Sequence, residues 1–201
     1  MTAPGTPTRR RGRPGHDLST VLAASVAVFN ERGYDGTSME DLSARLGIGK
    51  SSIYHHVESK EELLRLALDE ALAGLEEVAQ DVRVQGGPAA ARLELLVRRS
   101  VAVLVDRLPY VTLLLRVRGN SEVERAALGR RRAVDRLATE LVQQAVDDGE
   151  LRPDIDPAVT ARLLFGAVNS LTEWLKPGSR YSAATLGDDI CAIVFDGLRV
   201  V

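Results

Sequence analysis

Apolar residues recur along most of this chain at intervals of three and four, which is the spacing of one face of an α-helix. The first such face runs through Leu18, Val21, Leu22, Ser25, Val28 and Phe29. About nine segments of this kind follow one another, separated by caps, glycines and prolines. No alternation of apolar and polar residues typical of a β-strand interrupts them. The pattern therefore predicts an all-α protein of about nine helices.

Caps and breaking residues set the predicted helix boundaries. Gly33 should end the first helix, because glycine tolerates the left-handed conformation of a C-terminal cap. Two capping boxes, Thr37 with Glu40 and Ser59 with Glu62, should begin later helices. The predicted helices span about residues 17–32, 38–45, 50–56, 59–84, 88–107, a short one from 109, 121–148, 156–176 and 182–198.

Two short predicted helices, 38–45 and 50–56, are joined by a glycine-containing turn and preceded by a longer helix. This order is typical of a helix-turn-helix. The second short helix is polar except at Ile53 and Val57, which could hold it against a core. Such a helix suits insertion into the major groove of DNA. The alternative from this segment alone is a solvated surface helix.

The stretch 29–64 closely resembles the DNA-binding domain of the tetracycline-repressor (TetR) family. The strongest matches are Gly-Tyr-Asp-Gly-Thr at 33–37, Ile-Tyr-His-His at 53–56 and Ser-Lys-Glu-Glu-Leu at 59–63. They fall in one register without gaps, and the resemblance extends over about residues 17–66.

Two residues depart from the family pattern. Gly49 stands where the family usually has a serine or threonine cap, and Val57 stands where it usually has phenylalanine. Glycine is still an acceptable cap, and valine should merely pack less. The resemblance implies a three-helix helix-turn-helix DNA-binding domain at 16–62 and a helical ligand-binding and dimerisation domain at 63–201. Residues 1–15 would form a disordered basic arm.

The resemblance also assigns candidate DNA contacts. Three residues that begin the second short helix should face base edges or nearby phosphates: Lys50, Ser51 and Ser52. Tyr54 and His55 look like phosphate contacts, since their side chains can donate to phosphate oxygens. Thr37 and Lys60 stand at helix starts, where free amides and the helix dipole favour a phosphate. The role of His56 stays open.

Charge is unevenly distributed, although the net charge is only −2. Residues 1–16 contain four arginines and no acidic residue. Arg11 and Arg13 belong to an Arg-Gly-Arg-Pro segment that resembles the core of an AT-hook, so they could lie in a narrow A·T minor groove. A solubilising charged tail is the alternative.

The last two predicted helices, about 157–176 and 182–198, are apolar on more than one side. Helices of this kind need burial on two faces, so one face should meet a twofold-related copy of the chain. In the TetR family these two helices form the dimer. Two helix-turn-helices related by a twofold axis match double-stranded operator DNA that is palindromic.

Polar or amphipathic residues within the C-terminal helices are candidates for contacts to an unidentified small-molecule effector. They are Tyr110, Arg116, Asn120, Asn169, Glu173 and Trp174. Interface or surface positions are the alternative for all of them. The segments 149–156 and 176–178 look similar to regulators of fatty-acid, steroid or acyl-CoA catabolism. No effector-binding arginine can be matched onto Phe165, Asn169 or Glu173, which argues against a coenzyme A ligand.

The resemblance to the TetR family implies a ligand-responsive regulator, by the family default a repressor, that an effector releases from its operator. A ligand-independent architectural protein of A·T-rich DNA is the alternative. No metal-ligand spacing, nucleophile elbow or phosphate loop indicates an enzyme, so no cofactor or metal is expected. Cys191 is the sole cysteine, lies in an apolar run and should be a buried inert thiol. Without an apolar run of membrane-spanning length, a cytoplasmic protein with no membrane contact is expected.

Overall fold

The computed structural model describes residues 17–176 and 178–198. Within these ranges it contains nine α-helices and no β-strand, which confirms the all-α prediction. They are α1 (Leu18–Arg32), α2 (Met39–Leu46), α3 (Lys50–Tyr54), α4 (Lys60–Val84), α5 (Ala89–Asp106), α6 (Leu108–Arg116), α7 (Glu122–Asp147), α8 (Pro157–Trp174) and α9 (Ala183–Phe195). The predicted boundaries differ from these mainly at frayed helix ends.

The cap of α2 lies one residue later than predicted. Ser38 accepts a hydrogen bond from the Asp41 amide at 3.2 Å, and the Asp41 carboxylate accepts one from the Ser38 amide at 2.9 Å. This reciprocal pair is the capping box, so Thr37 and Glu40 do not form it. Adjacent hydroxyl residues make the register ambiguous in the sequence, because either can serve as a cap.

Other predicted caps are present. Ser59 accepts from the Glu62 amide at 3.0 Å, while the Glu62 carboxylate bonds the Glu58 amide rather than that of Ser59. Asp156 caps α8, with Pro157 at the first helical position. Each cap satisfies an amide that the helix itself leaves unpaired, and so fixes where the helix begins.

The N-terminal three helices pack around one end of the long helix α4. Phe29, Leu42, Ile53 and Leu63 are buried there and come from four different helices. The rest of α4 contacts α5, α6 and α7, while α8 lies against α7 and α9 lies against α5. A single buried apolar cluster runs through both parts, so α4 joins the three N-terminal helices to the remainder of the molecule.

Three arginines bind the acidic side of α4. Arg99 of α5 pairs with Asp81 at 2.7 Å, and Arg107, between α5 and α6, pairs with Glu70 at 3.3 Å. Arg130 of α7 contacts the carboxylates of Glu76 and Asp69. Hydrogen bonding to Arg130 holds the pKa of Glu76 below its usual value. These bonds fix α4 to the C-terminal helices at three points along its length.

Helix α6 connects the two parts by contacting α1. The Asn30 side chain donates to the Pro109 carbonyl at 2.8 Å, and Arg116 donates to the Asn30 carbonyl at 2.5 Å. Asn30 therefore binds residues near both ends of α6. A further contact follows α6, where Asn120 lies 3.4 Å from the Asp35 carboxylate.

Candidate DNA interface and effector pocket

The second helix of the helix-turn-helix presents a polar surface. Gly47 adopts φ 66° and ψ 29°, the left-handed conformation that lets the chain turn sharply between α2 and α3. Ile53 and Val57 are buried and hold α3 in place, as the sequence predicts. Tyr54 is 49% exposed although it is a large aromatic residue.

The remaining predicted contacts on α3 surround Tyr54. Lys50, Ser51 and His55 are exposed, and Ser52 is partly exposed. Lys50 makes an ion pair with Glu40, but both side chains are exposed, so the pair can exchange for a phosphate at small cost. The structure thus brings five of the predicted DNA contacts to one small surface.

Two other predicted phosphate contacts are engaged inside the protein. Thr37 is 2% exposed, and its hydroxyl donates to the Gly33 carbonyl at 2.7 Å. Lys60 Nζ donates to the carbonyls of Tyr34 and Thr37 at 2.9 and 2.8 Å, and lies 4.2 Å from the centre of the Tyr34 ring. These geometries give Thr37 and Lys60 a structural role in holding the α1–α2 turn against α4.

Replacing Lys60 with methionine is expected to reduce the free energy of unfolding by about 1–3 kcal/mol, because two carbonyls lose a charged donor. Chemical denaturation followed by circular dichroism measures this change. Lys50→Met is the control, since it removes a lysine whose ion pair is exposed, and it should change stability by less than about 1 kcal/mol. Equal effects of the two substitutions would contradict the structural role of Lys60.

The predicted minor-groove residues, Arg11 and Arg13, lie outside the described residues. Their contact with DNA stays a prediction.

Most of the residues predicted to contact an effector do not line the two cavities described in the next paragraph. Arg116 and Asn120 take part in the contacts with the N-terminal domain, so their polar groups are used there. Glu173 and Trp174 are exposed near the end of α8, where Trp174 packs edge-on against Tyr181. Tyr110 is partly buried but lines neither of the two cavities described next, and burial raises its pKa.

Asn169 is the exception, since it lines two adjacent cavities. One is a narrow interior cavity of about 30 Å³ among α4, α5, α6, α7 and α8. Its wall is mostly apolar and includes Leu75, Leu104, Val111, Leu114, Phe165 and Val168. The other is a surface groove of about 470 Å³ between α7 and α8. Both are lined by Arg131, Asp135, Phe165 and Asn169, so the groove adjoins the interior cavity.

The surface groove, called here the arginine groove, is strongly basic. It is lined by four arginines and one carboxylate, namely Arg131, Arg132, Arg136, Arg162 and Asp135. Partial removal from water raises the pKa of Asp135, although its side chain is exposed, and the charges of Arg131, Arg136 and Arg162 lower that pKa. None of the four arginines makes an ion pair or side-chain hydrogen bond with another residue in the described part of the chain.

That lack of partners separates them from most other arginines of the fold. Eight arginines in the described ranges are ion-paired: Arg32, Arg45, Arg65, Arg98, Arg99, Arg107, Arg130 and Arg152. Four unpaired guanidinium groups around one concave surface favour an anion with several oxygens. These residues were not predicted from the sequence, although the three consecutive arginines from Arg130 to Arg132 are a signal that could have indicated them.

Exposed apolar side chains concentrate on α8 and α9. Val159 and Leu163 are 48% and 71% exposed, and Ile193 is 78% exposed. These are positions that the sequence assigned to a dimer contact. Cys191 faces inward instead, and burial raises the pKa of its thiol, as suits an unreactive cysteine.

Two family models match the chain. The one described as "Bacterial regulatory proteins, tetR family" matches residues 21–67, and the one described as "Tetracyclin repressor-like, C-terminal domain" matches residues 86–198. The second match alone covers more than half of the sequence.

The chain belongs to the TetR family. It is similar to the HTH-type transcriptional repressor KstR2 of Mycolicibacterium smegmatis, with 26% identity over 98% of this chain and 95% of that protein. A TetR-family regulator from Streptomyces coelicolor A3 has a similar structure, with a TM-score of 0.82 and 50% identity over 90% of this chain and 92% of that one. The structure of AibR in complex with isovaleryl coenzyme A and operator DNA has a TM-score of 0.73 and 27% identity, covering 88% of this chain and 97% of AibR.

This TetR-family member is a ligand-responsive, DNA-binding transcriptional regulator. An architectural protein that binds DNA without a ligand is not favoured, because the C-terminal family match spans most of the chain beyond α4. None of the helices within residues 17–176 and 178–198 combines the length and the apolar character that spanning a lipid bilayer requires.

Proposed function

We propose that this regulator is a homodimeric repressor that an anionic, amphipathic effector of the acyl-coenzyme A class releases from a palindromic operator. One observation carries the effector class: four unpaired arginines line a groove that adjoins an apolar cavity. We also propose the domain division at 16–62 and 63–201, with α4 beginning in the first domain and continuing through the second.

The DNA contacts of this proposal are the exposed residues of α3 and its end. Lys50, Ser51 and Ser52 would meet base edges or nearby phosphates, while Tyr54 and His55 would donate to phosphates. The buried residues Ile53 and Val57 support this assignment, because they fix the side of α3 that stays against the protein.

The apolar surface of α8 and α9 supports the dimer. Leu163 and Ile193 are large apolar residues that are mostly exposed in the single subunit. A twofold contact would remove both side chains from water. It would also set the distance between the two α3 helices, which must match the spacing of two half-sites on DNA.

The chemistry of the two adjoining cavities supports the acyl-coenzyme A class, contrary to the expectation from the sequence, because the arginines are supplied by α7 and by Arg162 rather than at Phe165, Asn169 or Glu173. Phosphate groups accept paired hydrogen bonds from arginine, so the arginine groove suits the phosphates of a coenzyme A. The apolar wall beyond Phe165 suits an acyl chain. The isovaleryl coenzyme A bound to the similar regulator AibR is consistent with this class.

The position of α6 indicates how effector binding would change the affinity for DNA. Val111 and Leu114 contribute to the wall of the interior cavity, while Pro109 and Arg116 of the same helix contact Asn30 of α1. An acyl chain that enlarges this narrow cavity would displace α6 and hence α1. The effector then shifts the population toward a state that binds operator more weakly.

The test begins with selection of bound sequences from a random duplex pool, which yields the operator. Fluorescence anisotropy then measures its release by acyl-coenzyme A thioesters of graded chain length, with free coenzyme A as the control. Release by thioesters at concentrations where free coenzyme A has no effect supports the proposal. No release by any thioester would contradict the effector class without affecting the DNA-binding assignment.

Replacing Lys50 with alanine is expected to weaken binding to the selected operator and to reduce the slope of log affinity against log salt by about one unit. The reason is the loss of one cation near the phosphate backbone. Tyr54→Phe should weaken binding by roughly tenfold with an unchanged slope, because it removes a neutral donor. Anisotropy titrations at several salt concentrations separate these effects, and an unchanged slope for Lys50→Ala would remove Lys50 from the phosphate contacts.

A further inference from the structure

Ser100 of α5 is a buried polar residue whose hydroxyl has no hydrogen-bond partner among the described residues. It is 1% exposed. Hydroxyl groups inside helices usually donate to the carbonyl one turn earlier. Ser25 and Thr112 do so in this protein, at 2.8 and 2.7 Å. The Ser100 hydroxyl makes no such bond to its own helix, so it can still donate a hydrogen bond to another group.

The Ser100 side chain lines the interior cavity. Most of the other residues in that wall are apolar, and Asn169 supplies another uncharged polar group; the charged residues Arg131 and Asp135 lie where this cavity adjoins the arginine groove. The cavity adjoins the arginine groove, so a molecule with an anionic end in the groove would direct its apolar part toward Ser100. Alanine at this position would fit the apolar wall without leaving a polar atom unpaired, which makes the hydroxyl unnecessary for packing.

We propose that Ser100 is a specificity-determining residue that binds an oxygen on the apolar part of the effector. The ligand class is accordingly an acyl thioester that carries a hydroxyl or carbonyl group away from its coenzyme A end. A serine hydroxyl can donate to either kind of oxygen. Effectors whose apolar part lacks the oxygen would leave Ser100 unpaired, and the site discriminates against them. This inference rests on the proposed function, since it places the effector's anionic end in the arginine groove.

The test uses matched thioester pairs that differ by the one oxygen. Suitable probes are hexanoyl-coenzyme A with 6-hydroxyhexanoyl-coenzyme A, and cyclohexanecarbonyl-coenzyme A with 4-oxocyclohexanecarbonyl-coenzyme A. Isothermal titration of the full chain should give at least about tenfold tighter binding of the oxygenated member in one pair or more. Ser100→Ala should abolish that preference while it retains the affinity for the oxygen-free member.

Ser25→Ala is the matched control, because it removes a buried serine hydroxyl that is already paired. It should keep the preference for oxygenated thioesters and lower the melting temperature. Ser100→Ala should leave the melting temperature of the ligand-free protein unchanged or raise it. A melting temperature that falls as far in Ser100→Ala as in Ser25→Ala would overturn the proposal, since it would show that the protein itself uses the Ser100 hydroxyl.

Equal affinity of the wild-type protein for both members of every pair, or a preference that survives in Ser100→Ala, would also overturn the role of Ser100. Neither result affects the proposed effector class, which depends on the coenzyme A end. If no thioester binds, the proposed function fails, and uncharged probes decide the role of Ser100 separately. Cyclohexanone should then stabilise the wild-type protein more than methylenecyclohexane does, and Ser100→Ala should show no difference. No such difference in the wild-type protein overturns the proposal.

Discussion

A chain carrying aspartate at both Leu163 and Ile193 should be a folded monomer that binds the selected operator about 100-fold more weakly than wild type, or weaker still. Both side chains are mostly exposed, at 71% and 78%, so the substitutions leave the subunit core intact. They place charges within the apolar surface that we assign to the dimer, where ions cannot remain hydrated. A monomer loses the gain in affinity that comes from linking two DNA-binding domains.

Light scattering coupled to size-exclusion chromatography measures the mass, and circular dichroism checks the fold. Val84→Asp is the control, because Val84 is 74% exposed at the end of α4, outside α8 and α9. That variant should remain dimeric and retain its affinity for the operator. A Leu163→Asp/Ile193→Asp protein of dimeric mass would contradict the assignment of this surface.

Removing two arginines from the groove is expected to have the second large effect. Arg131→Ala combined with Arg162→Ala should weaken acyl-coenzyme A binding by about 100-fold or more, since each charged hydrogen bond contributes about 1.5–3 kcal/mol. Operator affinity in the absence of effector should stay within about threefold of wild type, because the groove lies between α7 and α8 and away from α3. The double variant should therefore stay bound to its operator when the acyl-coenzyme A is added.

The control for this experiment changes the net charge by the same amount elsewhere. Arg83→Ala combined with Arg118→Ala removes two exposed arginines whose side chains line neither cavity. Isothermal titration with the thioester that releases the operator best should give wild-type affinity for this control. If both double variants bind the thioester equally weakly, the loss of affinity comes from the reduced net charge and not from the groove.

Local signals were sufficient to predict the helix-turn-helix from the sequence. Caps, glycines and the three-to-four residue periodicity act over a few residues. They predicted the order of the helices, and their boundaries to within a few positions. The same locality is the reason that the bonds made by the Thr37 and Lys60 side chains within the protein were not predicted. A residue at a helix start can face either solvent or the protein, and Lys60 faces the Tyr34 carbonyl, which is distant in the sequence.

The cavity that we propose for the effector was harder to predict, because its wall combines helices that are far apart along the chain. Ser100, Arg131 and Asn169 come from α5, α7 and α8, and no spacing rule relates them. A polar residue in an apolar helix is also ambiguous by itself. Arg116 looked like a ligand contact, but its guanidinium group bonds the backbone of Asn30.

The hydrogen bonds between Asn30 and the two ends of α6 limit how this regulator can be re-engineered. Hybrid repressors are made by grafting the DNA-binding domain of one regulator onto the sensor domain of another. A graft that replaced α1 but kept α6 would lose the bond from the Asn30 side chain to the Pro109 carbonyl unless residue 30 stayed asparagine, whereas Arg116 could still donate to the backbone carbonyl of any residue there. We expect such a chimaera to bind its operator and its effector, but to lose operator affinity less on effector binding than a chimaera that keeps Asn30 together with α6.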